Sequence, residues 1–196
     1  MADGEGRLYD GDELLFVIAR ERAKEGGLKG VAGTLMTNLA LEHALQKMGV
    51  SFARAKVGDR YVIEMLQEKN WQLGGENSGH IICLDKHTTG DGIVSALQVL
   101  SAVRGSATTL GELCQGLALY PQKLVNVRVA RGFDWQKEPA IVKAKGEAER
   151  ALGARGRVLL RPSGTEPVLR VMVEGKDGAE VRRLAQAIAQ AVQESC

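Results

Sequence analysis

In the first part of the chain, apolar positions spaced three or four residues apart alternate with short extended apolar runs. The spacing predicts helices, and the runs predict strands. The predicted helices cover Glu13–Glu25, Leu39–Met48, Arg60–Glu68 and Gly92–Val103, and the predicted strands include Gly30–Gly33, Ser51–Ala55 and Ile81–Leu84. Alternation of this kind favours right-handed crossovers, so this part is predicted to be an α/β domain with a mainly parallel mixed sheet.

The ends of the first predicted helix carry recognisable signals. Asp12 stands where a capping side chain begins a helix, and Gly26 and Gly27 follow the last turn. Aspartate accepts hydrogen bonds from the free N–H groups of a first turn, and glycine tolerates the backbone that ends a helix. We therefore expect Asp12 to cap this helix and the glycines to end it.

The pattern changes near Tyr120 and Pro121, where a proline follows a helix. Beyond this point, strands are predicted at Lys123–Val129, Val158–Leu160 and Val168–Val173, and helices at Ile141–Ala151 and Ala179–Gln193. This order predicts a smaller α+β domain. We therefore expect a tail at 1–9, an α/β domain at 10–118 and an α+β domain at 119–196.

Composition narrows the function classes. The 196 residues are 44% hydrophobic and only 4% aromatic, and the net charge is +2. A nearly neutral chain has no general attraction to nucleic acid or to a membrane surface, so any anion site must be local. Three cysteines without metal or redox spacing, a polar start and the absence of a long apolar run predict a cytoplasmic location.

A short loop between two predicted strands combines the groups that bind phosphate. Residues 161–167 read RPSGTEP, and a second arginine, Arg170, follows. The guanidinium of Arg161 offers paired donors, Ser163 and Thr165 offer hydroxyls, and Gly164 leaves the backbone accessible. The same composition is typical of a surface turn between strands, and composition alone does not separate the two interpretations.

A second polar loop, residues 74–80 with the sequence GGENSGH, precedes the predicted strand at Ile81. Its carboxylate, amide, hydroxyl and imidazole groups belong to Glu76, Asn77, Ser78 and His80. Such a set suits sugar hydroxyls or an amine. A hairpin loop whose histidine caps a backbone carbonyl is the alternative, and it is the commoner case for an isolated polar turn.

Taken together, the two loops resemble the sugar-binding and phosphate-binding loops of the α-D-phosphohexomutases, and the whole chain resembles the phosphoglucosamine mutase branch of that family. Three further stretches occur in the order that the family shows, namely 33–38, 56–62 and 89–92. The family has four domains. The resemblance runs from about Asp10 to Val192 and covers the third, at 10–118, and the fourth, at 119–196.

The resemblance also implies roles for individual residues. Sugar contacts are assigned to Glu76, Asn77, Ser78 and His80, and phosphate contacts to Arg161, Ser163, Gly164 and Thr165. Asn77 is a candidate for selecting the amino sugar, and His80 either assists proton transfer or only donates a hydrogen bond. Asp59 and Arg60 lie in a family loop near the substrate, or else they pair with each other and cap the next helix. Arg170 is expected either to project towards the phosphate or, as the favoured alternative, to brace Glu166.

The family's reaction interconverts glucosamine 6-phosphate and glucosamine 1-phosphate through a bisphosphorylated sugar, in a pathway towards UDP-N-acetylglucosamine and the cell envelope. The resemblance places the phosphoryl-carrying serine and the Mg²⁺ loop in the first two domains. This chain is therefore expected to bind no metal and to be inactive alone, with a homodimer implied for the full-length enzyme. Asp3 and Glu5 alternate with glycine as in a cation loop but are expected to form a solvated turn.

Two other functions remain compatible with the sequence. One is the same half of a phosphomannomutase or phosphoglucomutase, which a comparison of glucosamine, glucose and mannose phosphates would distinguish. The other is a free-standing module that binds phosphosugars.

Overall fold

A computed structural model describes all residues from Met1 to Cys196. The chain forms two compact units, Met1–Leu119 and Tyr120–Cys196. Every helix and strand predicted above is present, with its ends shifted by a few residues at most. None of the helices is long and apolar enough to cross a lipid bilayer.

The first unit is an α/β domain. Its elements are α1 (Gly11–Lys24), β1 (Gly30–Thr34), α2 (Leu39–Lys47), β2 (Ser51–Ala55), α3 (Asp59–Lys69), β3 (Leu73–Gly75), β4 (Ile81–Cys83), α4 (Gly92–Ser106) and α5 (Leu110–Leu113). The sheet has the order β2-β1-β3-β4, in which β1 pairs in parallel with β2 and β3, and β4 is antiparallel to β3. The predicted mainly parallel mixed sheet is confirmed.

The start of α1 differs from the prediction. Asp10 is the N-cap, and it forms a capping box in which its side chain accepts from the N–H of Glu13 while Glu13 accepts from the N–H of Asp10. The prediction that Asp12 caps this helix is wrong. Asp12 lies inside the first turn, is 1% exposed, and its Oδ2 accepts from the N–H of Asn38 at 2.8 Å. The predicted end is confirmed, because the helix stops at Lys24, just before the two glycines.

Apolar side chains hold α3 against one face of the sheet. Val62 and Leu66 of α3 pack with Ala32, Ala55 and Ile82, and all five are buried. Helix α1 packs against α2, α4 and β3, and its residues from Leu14 to Ala19 are all buried. The sequence did not reveal the short helix α5, whose N-cap is Thr109 in a capping box with Glu112.

The second unit is an α+β domain. Its elements are β5 (Gln122–Arg128), α6 (Pro139–Leu152), β6 (Gly156–Pro162), β7 (Val168–Gly175) and α7 (Gly178–Glu194), with single 3₁₀ turns at Trp135–Lys137 and Gly153–Arg155. The sheet is antiparallel in the order β5-β7-β6. One face of β7, carrying Leu169, Val171 and Val173, packs with α6 and α7 in a closed core. Because side chains alternate along a strand, Arg170, Met172 and Glu174 point to the other face.

Candidate substrate-binding loops

The three parallel strands of the first unit end at one edge of its sheet. The segments that follow them are 35–38 after β1, 56–58 after β2, and 76–80 after β3. The connections step from β1 outwards to β2 and then back across β1 to β3. Open α/β sheets bind ligands outside the carboxyl ends of strands, at the point where the strand order reverses. The polar loop picked out in the sequence lies at this position.

The 76–80 loop closes a hairpin between β3 and β4. The N–H of Glu76 donates to the carbonyl of His80 at 2.9 Å, and the N–H of Gly79 donates to the carbonyl of Glu76 at 3.0 Å. The side chains of Asn77, Ser78 and His80 are exposed on this loop. The hairpin geometry of the alternative interpretation is therefore present, but His80 does not cap a carbonyl with its ring. The ring is 68% exposed and faces Ser78 Oγ at 3.5 Å.

Glu76 differs from its loop neighbours because it is buried, with 8% of the residue exposed. Its Oε1 accepts from the backbone N–H of Gly58 at 2.9 Å, and its Oε2 lies 3.9 Å from His80 Nδ1. One carboxylate oxygen thus ties the loop after β2 to the loop after β3. The other oxygen faces the imidazole at the mouth of the hairpin, where it is available to a polar ligand.

The start of α1 supports the same hairpin from beneath. The N–H of Gly11 donates to the carbonyl of Asn77 at 2.9 Å. A Cβ at position 11 would stand 2.0 Å from the carbonyl oxygen of Glu76 and 2.7 Å from the N of Gly79. Real Cβ atoms do not approach backbone so closely, so glycine is required at this position for the helix and the hairpin to meet.

Arg54 organises the loop after β1, a role that sequence reasoning missed. Its guanidinium donates to Glu42 Oε2 and to the carbonyls of Thr34 and Thr37, the last at 2.6 Å. Asp12 fixes the end of the same loop through the N–H of Asn38. Neither role could be predicted from the neighbouring residues, because the partners of Arg54 and of Asp12 are distant in sequence.

Asp59 and Arg60 are the first two residues of α3. Arg60 does not pair with Asp59; its Nε donates to Glu64 Oε1 at 2.8 Å on the helix surface, and its side chain is 81% exposed. Asp59 accepts from the backbone N–H of Arg60. The N-cap position belongs to Gly58, which has no side chain to cap with. A role near the substrate for Asp59 and Arg60 stays a prediction.

In the second unit, the 163–167 loop joins β6 to β7. The N–H of Ser163 donates to the carbonyl of Val168 at 2.8 Å, and the N–H of Val129 donates to the carbonyl of Pro167 at 3.0 Å. A cavity of about 490 Å³ opens beside the loop and is lined by residues 129–133 and 162–168. Gly164 and Thr165 are exposed, their N–H groups donate to no protein acceptor, and a Cβ at Gly164 would meet nothing.

Two arginines face each other next to this loop. Arg161 on β6 is the direct cross-strand partner of Arg170 on β7, so both side chains lie on the sheet face away from the helices. The side chain of Arg161 has no ion-pair or hydrogen-bond partner within the chain. Arg170 Nη2 donates to Ser163 Oγ at 3.4 Å, and its Nε is buried without a partner. The expected bracing of Glu166 by Arg170 is wrong, since the guanidinium turns to Ser163.

A third cation on this face was not picked out from the sequence. Asn126 of β5 is the cross-strand partner of Arg170, and Arg128 lies two residues further along β5. Residues two apart on a strand share a face, so Arg128 belongs to the same surface as Arg161 and Arg170. The side chain of Arg128 is exposed. Like charges opposite each other destabilise a sheet, and an anion bound between them would offset that cost.

The polar residues elsewhere do not build a metal site. No group of three or more His, Cys, Asp or Glu side chains in the chain is arranged to hold a metal ion. Asp3 instead organises a turn, because its carboxylate accepts from the N–H groups of Glu5 and Arg7 and from the Tyr9 hydroxyl. The Tyr9 hydrogen bond, followed by that from Arg7, holds the pKa of Asp3 below its usual value.

The cysteines offer no activated nucleophile near the loops. Cys83 and Cys114 are buried, and Cys196 is exposed at the end of the chain. Burial raises the pKa of Cys83, and burial followed by the charge of Glu13 raises the pKa of Cys114 to about 11. A thiol with a raised pKa is a poor nucleophile at neutral pH.

Family models match almost the whole chain. Residues 10–120 match the phosphoglucomutase/phosphomannomutase alpha/beta/alpha domain III, and residues 124–191 match the phosphoglucomutase/phosphomannomutase C-terminal domain. The chain belongs to the phosphoglucomutase/phosphomannomutase family. Within that family, the two units described above correspond to domain III and the C-terminal domain.

Close relatives agree with this membership, and a solved structure shares the fold. The chain is 64% identical over 192 residues to a phosphoglucosamine mutase of Aromatoleum aromaticum, covering 98% of this chain and 43% of the relative. It is 64% identical over 195 residues to one of Dechloromonas aromatica, covering 100% of this chain and again 43% of the relative. The chain thus spans less than half the length of these relatives. The fold matches Aspergillus fumigatus N-acetylphosphoglucosamine mutase with a TM-score of 0.84 at 21% identity, over 100% of this chain and 45% of that one.

Proposed function

We propose that this chain is the sugar- and phosphate-binding part of a phosphoglucosamine mutase, which interconverts glucosamine 6-phosphate and glucosamine 1-phosphate through a bisphosphorylated sugar. The observation that carries the proposal is the pair of facing arginines, Arg161 and Arg170, beside an open loop with unpaired N–H groups. The 64% identity to phosphoglucosamine mutases supports the choice of an amino sugar over other hexoses.

The second unit binds the phosphate in this proposal. Arg161 grips phosphate oxygens with its fork of donors, and Ser163, Gly164 and Thr165 add hydroxyl and backbone donors. Arg170 holds Ser163 Oγ and adds a second positive charge. None of these groups changes the phosphate chemically. Binding energy from the non-reacting phosphate orients the sugar for a reaction that occurs at its other end.

The first unit binds the sugar in this proposal. Glu76 has one oxygen committed to Gly58 and the other turned towards the mouth of the hairpin, so it can accept from a hydroxyl without moving. Ser78 and His80 lie beside it as exposed donors and acceptors. Asn77 is exposed and is the group best placed to distinguish an amine from a hydroxyl. His80 acts here as a hydrogen-bond donor.

The chemical step itself belongs to other parts of the full-length enzyme. The residues of this chain do not fit a magnesium ion, since no cluster of candidate ligands is present. The solved Aspergillus fumigatus N-acetylphosphoglucosamine mutase is described in complex with GlcNAc-6P and magnesium. We place the Mg²⁺ and the phosphoryl-carrying serine of the whole mutase in domains outside this chain, and we expect the chain alone to show no turnover.

A backbone NMR titration tests the proposal. We expect glucosamine 6-phosphate to shift resonances at 76–80 and 163–165, inorganic phosphate to shift only 163–165, and glucosamine to shift only 76–80. Stronger shifts with glucose 6-phosphate or mannose 6-phosphate would point to a mutase of another sugar. Unchanged spectra at millimolar phosphosugar, or mutase turnover by the chain alone, would contradict the proposed division of roles.

A further inference from the structure

Arg54 on β2 links its strand to two other segments of the first unit. Its side chain is 18% exposed, and its Nε and Nη2 donate to Glu42 Oε2 on α2 at 3.1 and 2.8 Å. Its Nη1 donates to the carbonyls of Thr34 and Thr37 at 3.1 and 2.6 Å. The ion pair with Glu42 uses only the first two nitrogens. The third nitrogen is committed to residues 34–37, which we call the β1 turn.

The β1 turn combines internal hydrogen bonds with those from Arg54. Within the turn, the N–H of Met36 donates to Thr34 Oγ1, and the N–H of Thr37 donates to the carbonyl of Thr34. Thr34 and Thr37 are both buried, and a buried carbonyl that loses a hydrogen bond costs free energy. We therefore expect the turn to rearrange when the guanidinium is removed.

The β1 turn lies in the middle of the sheet edge that carries the 76–80 hairpin. Strand β1 lies between β2 and β3, and Ala32 of β1 pairs in parallel with Gly74 of β3. Continuing this register by two residues places Thr34 beside Glu76. Gly58 follows β2 and Glu76 follows β3, so the hydrogen bond between them, which we call the Glu76 bridge, passes across the end of β1. The β1 turn therefore borders the Glu76 bridge.

We propose that Arg54 is a positioning residue for sugar binding. By holding the β1 turn, it keeps the end of β1 where Glu76 reaches Gly58 with one carboxylate oxygen and turns the other to the mouth of the hairpin. Arg54 itself contacts no sugar. The inference rests on the proposed function, because it takes the 76–80 hairpin as the segment that binds the sugar.

This role predicts different effects on the two halves of the ligand. The phosphate-binding loop belongs to the second unit, so a change at Arg54 should weaken the binding of glucosamine and leave the binding of inorganic phosphate unchanged. The loss of one well-placed hydrogen bond to the sugar corresponds to a roughly 3- to 10-fold loss of affinity. A residue that only stabilised the fold would leave both affinities unchanged while the protein is folded.

The test compares Arg54→Met and Arg54→Lys with a matched control, Arg22→Met. Methionine keeps an unbranched stem and removes every donor. The side chain of Arg22 is 17% exposed, pairs with Asp85 at 2.9 Å and donates to Gln98 at 3.1 Å, so its burial and bonding are close to those of Arg54. Strand β4 runs away from the hairpin and Asp85 follows its end, so the control lies at the opposite edge of the sheet.

NMR titrations with glucosamine and with inorganic phosphate, at a temperature where every variant is folded, measure the affinities. We expect Arg54→Met to bind glucosamine roughly 3- to 10-fold more weakly than the native chain, and Arg22→Met to bind it equally well. Arg54→Lys should recover part of the loss, because an ammonium group reaches one acceptor but does not span three. All variants should bind phosphate as the native chain does. Native affinity for glucosamine in both Arg54 variants, or an equal loss in Arg22→Met, would overturn the proposal.

Hydrogen exchange of the Gly58 N–H provides a readout without ligand. We expect this amide to exchange faster in Arg54→Met and at the native rate in Arg22→Met, because only the first change loosens the Glu76 bridge. If exchange responds in this way while the native chain binds no glucosamine, Arg54 positions the bridge and the proposed function is overturned. Native exchange in the Arg54 variants overturns the positioning role itself. Arg54→Lys supplies both measurements if Arg54→Met does not fold.

Discussion

Replacing Arg161 with glutamine should change ligand affinity and stability in opposite directions. Glutamine keeps most of the side-chain stem and its hydrogen bonding but removes the charge. In the free protein, that charge faces Arg170 directly across the strand pair and has no carboxylate partner. In the proposed complex, the same charge contacts the phosphate of the ligand. Arg161 therefore destabilises the free protein and stabilises the complex with the phosphate.

The two magnitudes follow from the geometry. Two like charges at directly facing positions of neighbouring strands cost roughly 0.2–1 kcal/mol, and the partial exposure of Arg161 favours the lower part of this range. Arg161→Gln should therefore raise the free energy of unfolding by a few tenths of a kcal/mol. A hydrogen bond to a charged group contributes about 1.5–3 kcal/mol, which corresponds to about a 10- to 150-fold loss of affinity.

Calorimetric titration with glucosamine 6-phosphate and urea unfolding measure the two effects. Arg183→Gln is the matched control, because it removes the same charge from the exposed face of α7. We expect it to leave both values unchanged. The reasoning would be refuted if Arg161→Gln lowered the free energy of unfolding by about 1 kcal/mol or more and left affinity unchanged, since Arg161 would then be structural. Equal weakening by Arg183→Gln would mean that only net charge matters.

Three further predictions concern the first unit. Glu76→Ala should cost about 1–3 kcal/mol of unfolding free energy in urea, because it leaves the N–H of Gly58 without its acceptor, and a neutral result would contradict that role. Gly11→Ala should lower the Tm by several degrees because its Cβ would overlap the hairpin backbone, whereas Gly105→Ala, in open space on α4, should hold or raise it; equal effects would refute the close approach. The hydrogen bond from the N–H of Val94 is the main reason that the pKa of Asp91 lies below its usual value. The stability that Asp91 contributes is therefore present above about pH 4 and is lost as pH falls through the lowered pKa. Asp91→Asn should reduce this loss of unfolding free energy in acid, and an unchanged pH profile of stability would count against the role of Asp91.

The sequence by itself determined most of the elements and the chemistry of the loops. Helical period, apolar runs and the change near Tyr120 predicted every helix but the short α5 and the strands other than the short β3, and the two polar loops were found from composition. These features depend on residues close together in the chain, where hydrogen bonds and side-chain spacing follow local rules.

Only the tertiary structure decided how those residues are used. Three contacts join segments that are far apart in the chain. Glu76 is buried and accepts from the N–H of Gly58, Asp12 accepts from the N–H of Asn38, and Gly11 approaches the hairpin backbone. The facing of Arg161 and Arg170 depends on strand register, and a shift of one residue would separate them. Each of these contacts follows from how distant segments pack, which periodicity and composition do not encode.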